Sequence, residues 1–221
     1  MLNKIVLILV FIFSVNWAHA QSALVLDINP ANSEVSWKGW KKLITTDTHR
    51  GNIKVESGTV EFDKDGELVG GEITIDMKTI KNEDVESPKY SEKLDNHLKS
   101  SDFFDVEKYP VAKFIIKSAT KEAPVKAKKK DKKKNESEEK KYIVTGDMTI
   151  KDKTHKETFN VAITKISDTN FGIKSSFEFD RSKYNVKYNS EKFFKNLGDK
   201  IINDNIEIAL SLKTKPRAKV K

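Results

Sequence analysis

The sequence predicts an all-β fold, an antiparallel β-barrel of about eight strands with one or two short helices at its ends. Three observations carry that expectation. From Val35 onward, apolar residues recur at every second position over short runs, the period of a strand with one buried face. Helical spacing is scarce. The runs are joined mostly by short turns, and a sheet of about eight to ten such strands closes on itself or doubles into a sandwich.

Taken in order, Val35 and Trp37 alternate with Ser36 and Lys38, and Ile53 and Val55 follow Gly51. Val60 and Phe62 precede Asp65-Gly66, a hairpin signal, and Ile73, Ile75 and Met77 complete the first half. A helix is predicted next. Ser87 suits an N-cap, Pro88 suits the first helical position, and Tyr90, Leu94 and Leu98 share one stripe. The second half returns to alternation, with Ala112, Phe114 and Ile116, then Tyr142 to Ile150 through Val144 and Met148, then Phe159, Val161 and Ile163. The cleanest runs are Phe171, Ile173, Ser175, Phe177 and Phe179, and Ile206, Ile208, Leu210 and Leu212. Phe194 and Leu197 give a weaker signal for a second helix over Glu191 to Leu197.

The first twenty residues read as a secretory leader, with Lys4, an apolar stretch from Ile5 to Val15, and Ala18-His19-Ala20 as the cleavage site. That stretch is shorter than the roughly 20 apolar residues that span a bilayer. The chain is therefore expected to be exported, periplasmic or secreted, and soluble as a single domain over residues 21–221. With no cysteine, disulfide scaffolds, thiolate metal sites and cysteine enzymes are excluded.

The formal charge of +8 is concentrated rather than spread. Lys121 to Lys141 holds ten Lys against five acids, and Lys213 to Lys221 holds five basic residues and no acid. The remaining body is mildly acidic, which argues against nucleic acid as a partner. Lys121 to Lys141 reads as a disordered insertion in a hairpin, and Lys213 to Lys221 as a basic tail. Both are expected to be solvated charge runs, with an anionic membrane surface as the alternative partner.

Catalytic signatures are missing. Histidines after the leader are His49, His97 and His155, none at ligand spacing from another, and there is no metalloprotease, phosphate-loop, dinucleotide or nucleophile-elbow motif. No catalytic residue, metal or cofactor is expected. Three polar features are candidates for a ligand headgroup or for structural roles: His49 at a strand start, and the neighbours Asp180 and Arg181 at a strand end, where an ion pair is the default. Aromatic residues on the apolar face are more informative. An eight-stranded barrel is just wide enough to be filled by its side chains or to hold one small ligand, and periodicity alone leaves both open.

Several ordered motifs run nearly end to end: Ser33-x-Val35-x-Trp37, His49-x-Gly51, Gly70-Gly71-x-Ile73-x-Ile75-Asp76-Met77, Leu94-x-x-His97-Leu98-Lys99 through Asp102-Phe103-Phe104-Asp105-Val106, Tyr109-Pro110-x-Ala112-x-Phe114, Val144-Thr145-Gly146-x-Met148, and Phe179-Asp180-Arg181-Ser182. On these the chain resembles the YceI-like family of exported, lipocalin-like, polyisoprenoid-binding barrels. The resemblance implies a non-enzymatic carrier or sink whose interior takes an isoprenoid, quinone or fatty-acid-like chain. The expected ligand-facing residues are Trp37, Ile53, Phe62, Ile75, Leu94, Leu98, Phe103, Phe114, Val144, Met148, Phe159, Val161, Phe177, Phe179 and Ile208. The alternative is a dry-cored barrel that contacts envelope or membrane through its basic segments. Oligomeric state stays open, a homodimer included.

Overall fold

The computed structural model describes residues 23–43, 47–123 and 139–217. The expected leader lies outside them, as do most of the Lys-rich segment and the last four residues of the tail. Strand-forming alternation becomes nine strands: β1 (Leu24–Ile28), β2 (Glu34–Trp40), β3 (Thr48–Phe62), β4 (Leu68–Asn82), β5 (Val111–Lys121), β6 (Glu139–Ile150), β7 (Lys153–Lys165), β8 (Phe171–Asp180) and β9 (Asn205–Pro216). All pairings are antiparallel, and β3–β4 pairing closes the sheet into a ring. The ring has eight positions because β1 and β2 share one. Both lie between β3 and β9, β1 against Thr59 to Phe62 and β2 against Thr48 to Ile53. Pro30 opens the single 3-10 turn that separates them, its ring and missing N–H ending the ladder there.

The antiparallel order sorts the connections into two ends. The strand ends through which β2 leads to β3, β4 to β5, β6 to β7 and β8 to β9 lie at one end, the rim, and those through which β3 leads to β4, β5 to β6 and β7 to β8 lie at the other, the floor. At the floor Phe62 stacks on Phe171 with ring centroids 4.6 Å apart, and the Phe171 N–H donates to Thr214 Oγ1 at 2.8 Å. Asp65-Gly66 turns the chain there as expected, with Gly66 at φ 71° and Asp63 accepting from the N–H groups of Asp65 and Glu67.

One helix, α1 (Pro88–Lys99), sits at the rim. Its anchor is Asn82, the last residue of β4: the Asn82 backbone N–H donates to Asp95 Oδ1 at 2.7 Å, and its side-chain amide donates to Asp95 and to the Ser91 carbonyl. Leu98 is buried and Leu94 packs on the core, whereas Tyr90 is 64% exposed, so the helix presents a narrower apolar stripe than expected. Ser87 contributes its carbonyl to the Ser91 N–H, and its side chain makes no capping bond.

Three further expectations are corrected. Residues Glu191 to Leu197 form turns, because Asn196 and Gly198 adopt positive φ and end any helical run. Lys121 and residues 139–141 belong to β5 and β6, and 213–216 to β9, so both charged segments are shorter than their composition suggests. The strand β1 precedes the first run recognised by alternation.

Two strand pairs are short. β4 meets β5 only over Glu72 to Asp76, and β7 meets β8 only over Ala162 to Lys165. Side chains reinforce both seams. Ser175 Oγ donates to the Asn160 carbonyl at 2.6 Å across the β7–β8 seam. Near the floor, Glu67 receives Lys121 at 2.8 Å, Lys140 at 2.9 Å and the Tyr142 hydroxyl at 2.7 Å, tying the β3–β4 hairpin to β5 and β6. Burial pushes the Glu67 carboxyl upward, but those three hydrogen bonds outweigh it and hold the pKa at about 2. The Tyr142 phenol is pushed up by the same burial and by its bond to Glu67.

At the rim Arg181 is fully buried in the β8–β9 connection. Its guanidinium donates to the carbonyls of Asn203, Val186 and Ile202 at 3.1, 2.9 and 3.1 Å. Asp204 lies 3.4 Å from Nη2, an ion pair without a well-directed hydrogen bond, since Asp204 Oδ1 has no hydrogen-bond partner. Desolvation lowers the Arg181 pKa, and Asp204 and Asp180 oppose that shift.

Two outcomes follow from these clamps. Glu67→Gln should lower stability at neutral pH by about 1–3 kcal/mol. Because the folded pKa of about 2 lies below the ordinary 4.5, the charge stabilises fully above pH 4.5 and loses its effect as pH falls toward 2. Melting temperatures measured across that window should converge for wild type and variant; a constant gap would show that the ionised carboxylate is not what holds the hairpin. Arg181→Met should cost about 3–5 kcal/mol in urea unfolding, because it strands Asp204 and three carbonyls, that of Val186 buried. A loss below about 1 kcal/mol would remove Arg181 as the clamp of the β8–β9 connection.

Candidate functional site

The inward faces of the strands do not fill the ring. They enclose a cavity of about 390 Å3 with an almost wholly apolar wall. β2 contributes Trp37, β3 Ile53, β4 Ile75, β5 Phe114, β6 Val144 and Met148, β7 Phe159 and Val161, β8 Phe177 and Phe179, and β9 Ile208. Leu94 and Leu98 of α1, with Phe103 after it, roof the rim side. All but Phe103, expected from its place just after the helix, are residues that alternation or the helix stripe assigned to the interior. Their neighbours Lys38, Lys54, Thr145, Asn160 and Glu178 lie outside the cavity wall.

Aromatic contacts shape the chamber. Phe159 stacks on Phe177 with centroids 4.1 Å apart and planes 7° from parallel, and Phe114 tilts against Phe159 at 4.9 Å. Phe114 reaches that place because Gly146 faces it on β6; a Cβ there would meet the Phe114 ring at 2.5 Å. Phe103 packs on Phe104 and lies under the Arg181 guanidinium at 5.6 Å.

Two expected residues are not in the wall. Phe62 is buried in the floor stack with Phe171, below the cavity: its parity is right, but parity does not report depth along the barrel axis. Asp180 faces outward, accepting from the Ser182 N–H and paired with Lys192 at 2.5 Å. It forms no ion pair with its neighbour Arg181, whose partner is Asp204. Arg181 does border the cavity, with its donors turned to backbone carbonyls.

The polar part of the wall gathers mostly at the rim. His49 Nδ1 is 2.8 Å from Asp84, and Lys41 is 2.7 Å from Asp47. Burial raises the Asp84 carboxyl, but bonds from the Arg50 N–H and His49 bring it below its ordinary value. The irregular stretch before β9 is stitched to this edge: the Asn203 N–H donates to the Trp40 carbonyl at 2.9 Å, and the Lys42 N–H to the Ile201 carbonyl at 2.9 Å. Trp40, Lys41, Asp47, Ile202 and Asn203 therefore join the wall, none of them singled out by periodicity. A further exposed pair, Glu72 with Lys113 at 2.6 Å, borders the cavity at the lower end of the short β4–β5 ladder, so Lys113 is not purely outward.

Two buried polar atoms of the wall lack any hydrogen-bond partner: Trp37 Nε1 and His97 Nε2. Among the described residues there is no cluster of three His, Cys, Asp or Glu able to hold a metal, and no helix long and apolar enough to cross a membrane. The arrangement offers an apolar volume inside the closed ring, with polar groups at its rim entrance. The described flanks of the Lys-rich segment, Ala123 and Glu139, and the end of β9 all lie at the floor, opposite that entrance.

Similar proteins share this architecture. The crystal structure of BcnA from Burkholderia cenocepacia matches with a TM-score of 0.59 at 23% identity, covering 84% of this chain and 98% of that one. A polyisoprenoid-binding domain from Saccharophagus degradans, implicated in plant cell wall breakdown, matches with a TM-score of 0.59 at 10% identity over 87% of this chain and 98% of that one. At such identities the likeness concerns the fold. In sequence, a UPF0312 protein of Staphylococcus aureus (SAR2769) is 30% identical over 105 residues, 45% of this chain and 50% of its own. The chain thus spans about half the length of the curated relatives it matches. The model of the YceI-like domain matches residues 26–214, which takes in the closed ring, α1 and the whole cavity wall: the chain belongs to the YceI-like family.

Proposed function

We propose that this protein is an exported, non-enzymatic carrier or sink for one long-chain apolar amphiphile of the isoprenoid, quinone or fatty-acid kind. The observation that carries the reading is the 390 Å3 apolar chamber inside a closed sheet. A dry-cored barrel acting only through its surface would have no use for such a volume, because unfilled space costs dispersion contacts. Each 100 Å2 of guest surface buried there contributes about 2.5 kcal/mol, so a chain of modest length binds without special chemistry. The description of the Saccharophagus degradans domain as polyisoprenoid-binding supports the same ligand class. The wall supports binding over turnover, since its charged groups are engaged in ion pairs and backbone bonds. The leader-like first twenty residues support export.

The test uses protein purified without detergent, extracted with organic solvent and analysed by mass spectrometry. A stoichiometric apolar guest is expected in the wild type. Val161→Trp, which places a larger ring in the chamber, should arrive without guest and melt within a few degrees of wild type, because the ring occupies the guest's volume. In a filled core the same change would overpack and cost about 1–3 kcal/mol. A wild type that never carries a guest, with a destabilised Val161→Trp, would end the carrier reading.

A further inference from the structure

The connection between β8 and β9, residues 181–204, touches the chamber with one part and water with another. Ile202 and Asn203 line the chamber, whereas Phe193 and Phe194 are 43% and 49% exposed. A single apolar side chain at a surface is ordinary; two adjacent phenylalanines left in water forgo burial and mark a contact site. They do not sit on loose chain. The carbonyl of Ser190, a fully buried residue, accepts the N–H groups of Phe193 and Phe194 at 3.1 and 3.0 Å, and the Ser190 N–H donates to the Lys187 carbonyl at 2.9 Å. Around that turn Lys192 is fixed to Asp180 and to Ser182 Oγ, the Asn189 carbonyl accepts from the Ile202 N–H at 3.0 Å, and Glu191 pairs with Lys42 just after β2. The turn is clamped at its base, and its two rings are left outside. The Lys42–Glu191 pair also brings Leu43, 65% exposed, to the same edge of the rim.

Charge tells what covers these side chains. Lys187 to Lys200 holds four Lys against two acids. Lys187 lies over the Phe193 ring at 5.0 Å, and together with Lys195 and Lys200 it enters no ion pair among the described residues. Projecting rings beside uncompensated cations fit a bilayer with anionic headgroups, where the rings enter the apolar boundary and the lysine stems reach back to the phosphates. A second copy of the chain fits poorly, because a twofold axis through this patch would set its lysines against one another. The connection that carries α1 has the opposite sign, eight acids against four Lys over Glu83 to Lys108, so an anionic surface is held to the β8–β9 side of the mouth.

We propose that the rim docks on an anionic lipid bilayer through Phe193, Phe194 and Leu43, with Lys187, Lys195 and Lys200 on the headgroups. The basic flanks of the Lys-rich segment and the end of β9 lie at the opposite end and face away from that surface. Docking sets the mouth of the chamber at the lipid boundary; on the carrier reading, a guest then passes between bilayer and barrel without crossing water, but the docking itself does not rest on that reading.

The chain has no cysteine, so a single label can be placed at either end of the barrel. Phe194→Cys carries an environment-sensitive fluorophore at the rim, and Ile166→Cys, an exposed position between β7 and β8, carries it at the floor. Delipidated protein is mixed with vesicles of phosphatidylcholine alone or of phosphatidylcholine with phosphatidylglycerol. The rim label should shift to the blue on the mixed vesicles, less so as salt is raised, while the floor label stays unchanged. In unlabelled protein, Phe193→Ser with Phe194→Ser should lower partition onto mixed vesicles by about tenfold or more, the effect of withdrawing two rings from an apolar phase. Lys187→Glu with Lys195→Glu should weaken binding to mixed vesicles and leave phosphatidylcholine vesicles unaffected. Both double variants should keep the wild-type melting temperature, since all four side chains are exposed. A floor label that shifts in place of the rim label would assign membrane contact to the basic segments and overturn the proposal. So would a phenylalanine double variant that binds as the wild type does, or a wild type that ignores vesicles and forms a dimer which that variant abolishes, the patch then belonging to a second copy. Docking is read from vesicles and guest content from extraction, so the failure of one reading is distinguishable from the failure of the other.

Discussion

Closure of the sheet is the constraint on which the rest of this molecule depends. The β3–β4 ladder joins the last strand of the ring to the first, leaving neither edge to be capped or to recruit another chain. Closure also fixes the size of the interior, since eight strand positions set the diameter whatever side chains point inward. The inward residues can then only fill the space or leave some of it. Here the floor is filled by aromatic stacking and the upper part is not. A ladder this curved needs relief, and β3–β4 takes it through three register shifts and through Gly71 at φ 142°, where a Cβ would lie 2.4 Å from the Thr59 carbonyl oxygen.

Much of this was legible in the sequence because one physical rule, alternate side chains on opposite faces, governs every strand. It brought Trp37, Phe114, Val144, Val161 and Ile208 onto one wall although they are far apart in the chain. The rule reports face and nothing else. Phe62 has the right parity and the wrong depth, and Asp180 and Arg181 are adjacent yet diverge to Lys192 and Asp204 because the strand ends between them. The Trp40, Ile202 and Asn203 positions at the rim follow from pairing between distant loops, which leaves no periodic trace. β1 alternates too, Leu26 and Ile28 being buried, but five residues cut off by Pro30 give too short a signal to stand out.

Composition was the least reliable guide to boundaries. Lys121 and Lys140 look like part of a charged run, yet both reach Glu67 and fasten the hairpin at the floor. Their placement at that end also sets the described flanks of the basic segments apart from the entrance, which is framed instead by the paired groups His49, Asp84, Lys41 and Asp47.

The sealed floor gives the chamber a property that an open tube would lack. On the carrier reading, a chain entering at the rim would advance until it met the layer of Leu68, Ile163 and Leu212, backed by the Phe62–Phe171 stack, and would go no further. The barrel would then be a gauge as well as a container. A guest too short leaves dispersion contacts unmade at the bottom, and one too long must leave its end in water beyond Trp40 and Ile202, so two phenylalanines that touch no guest would set the length it prefers.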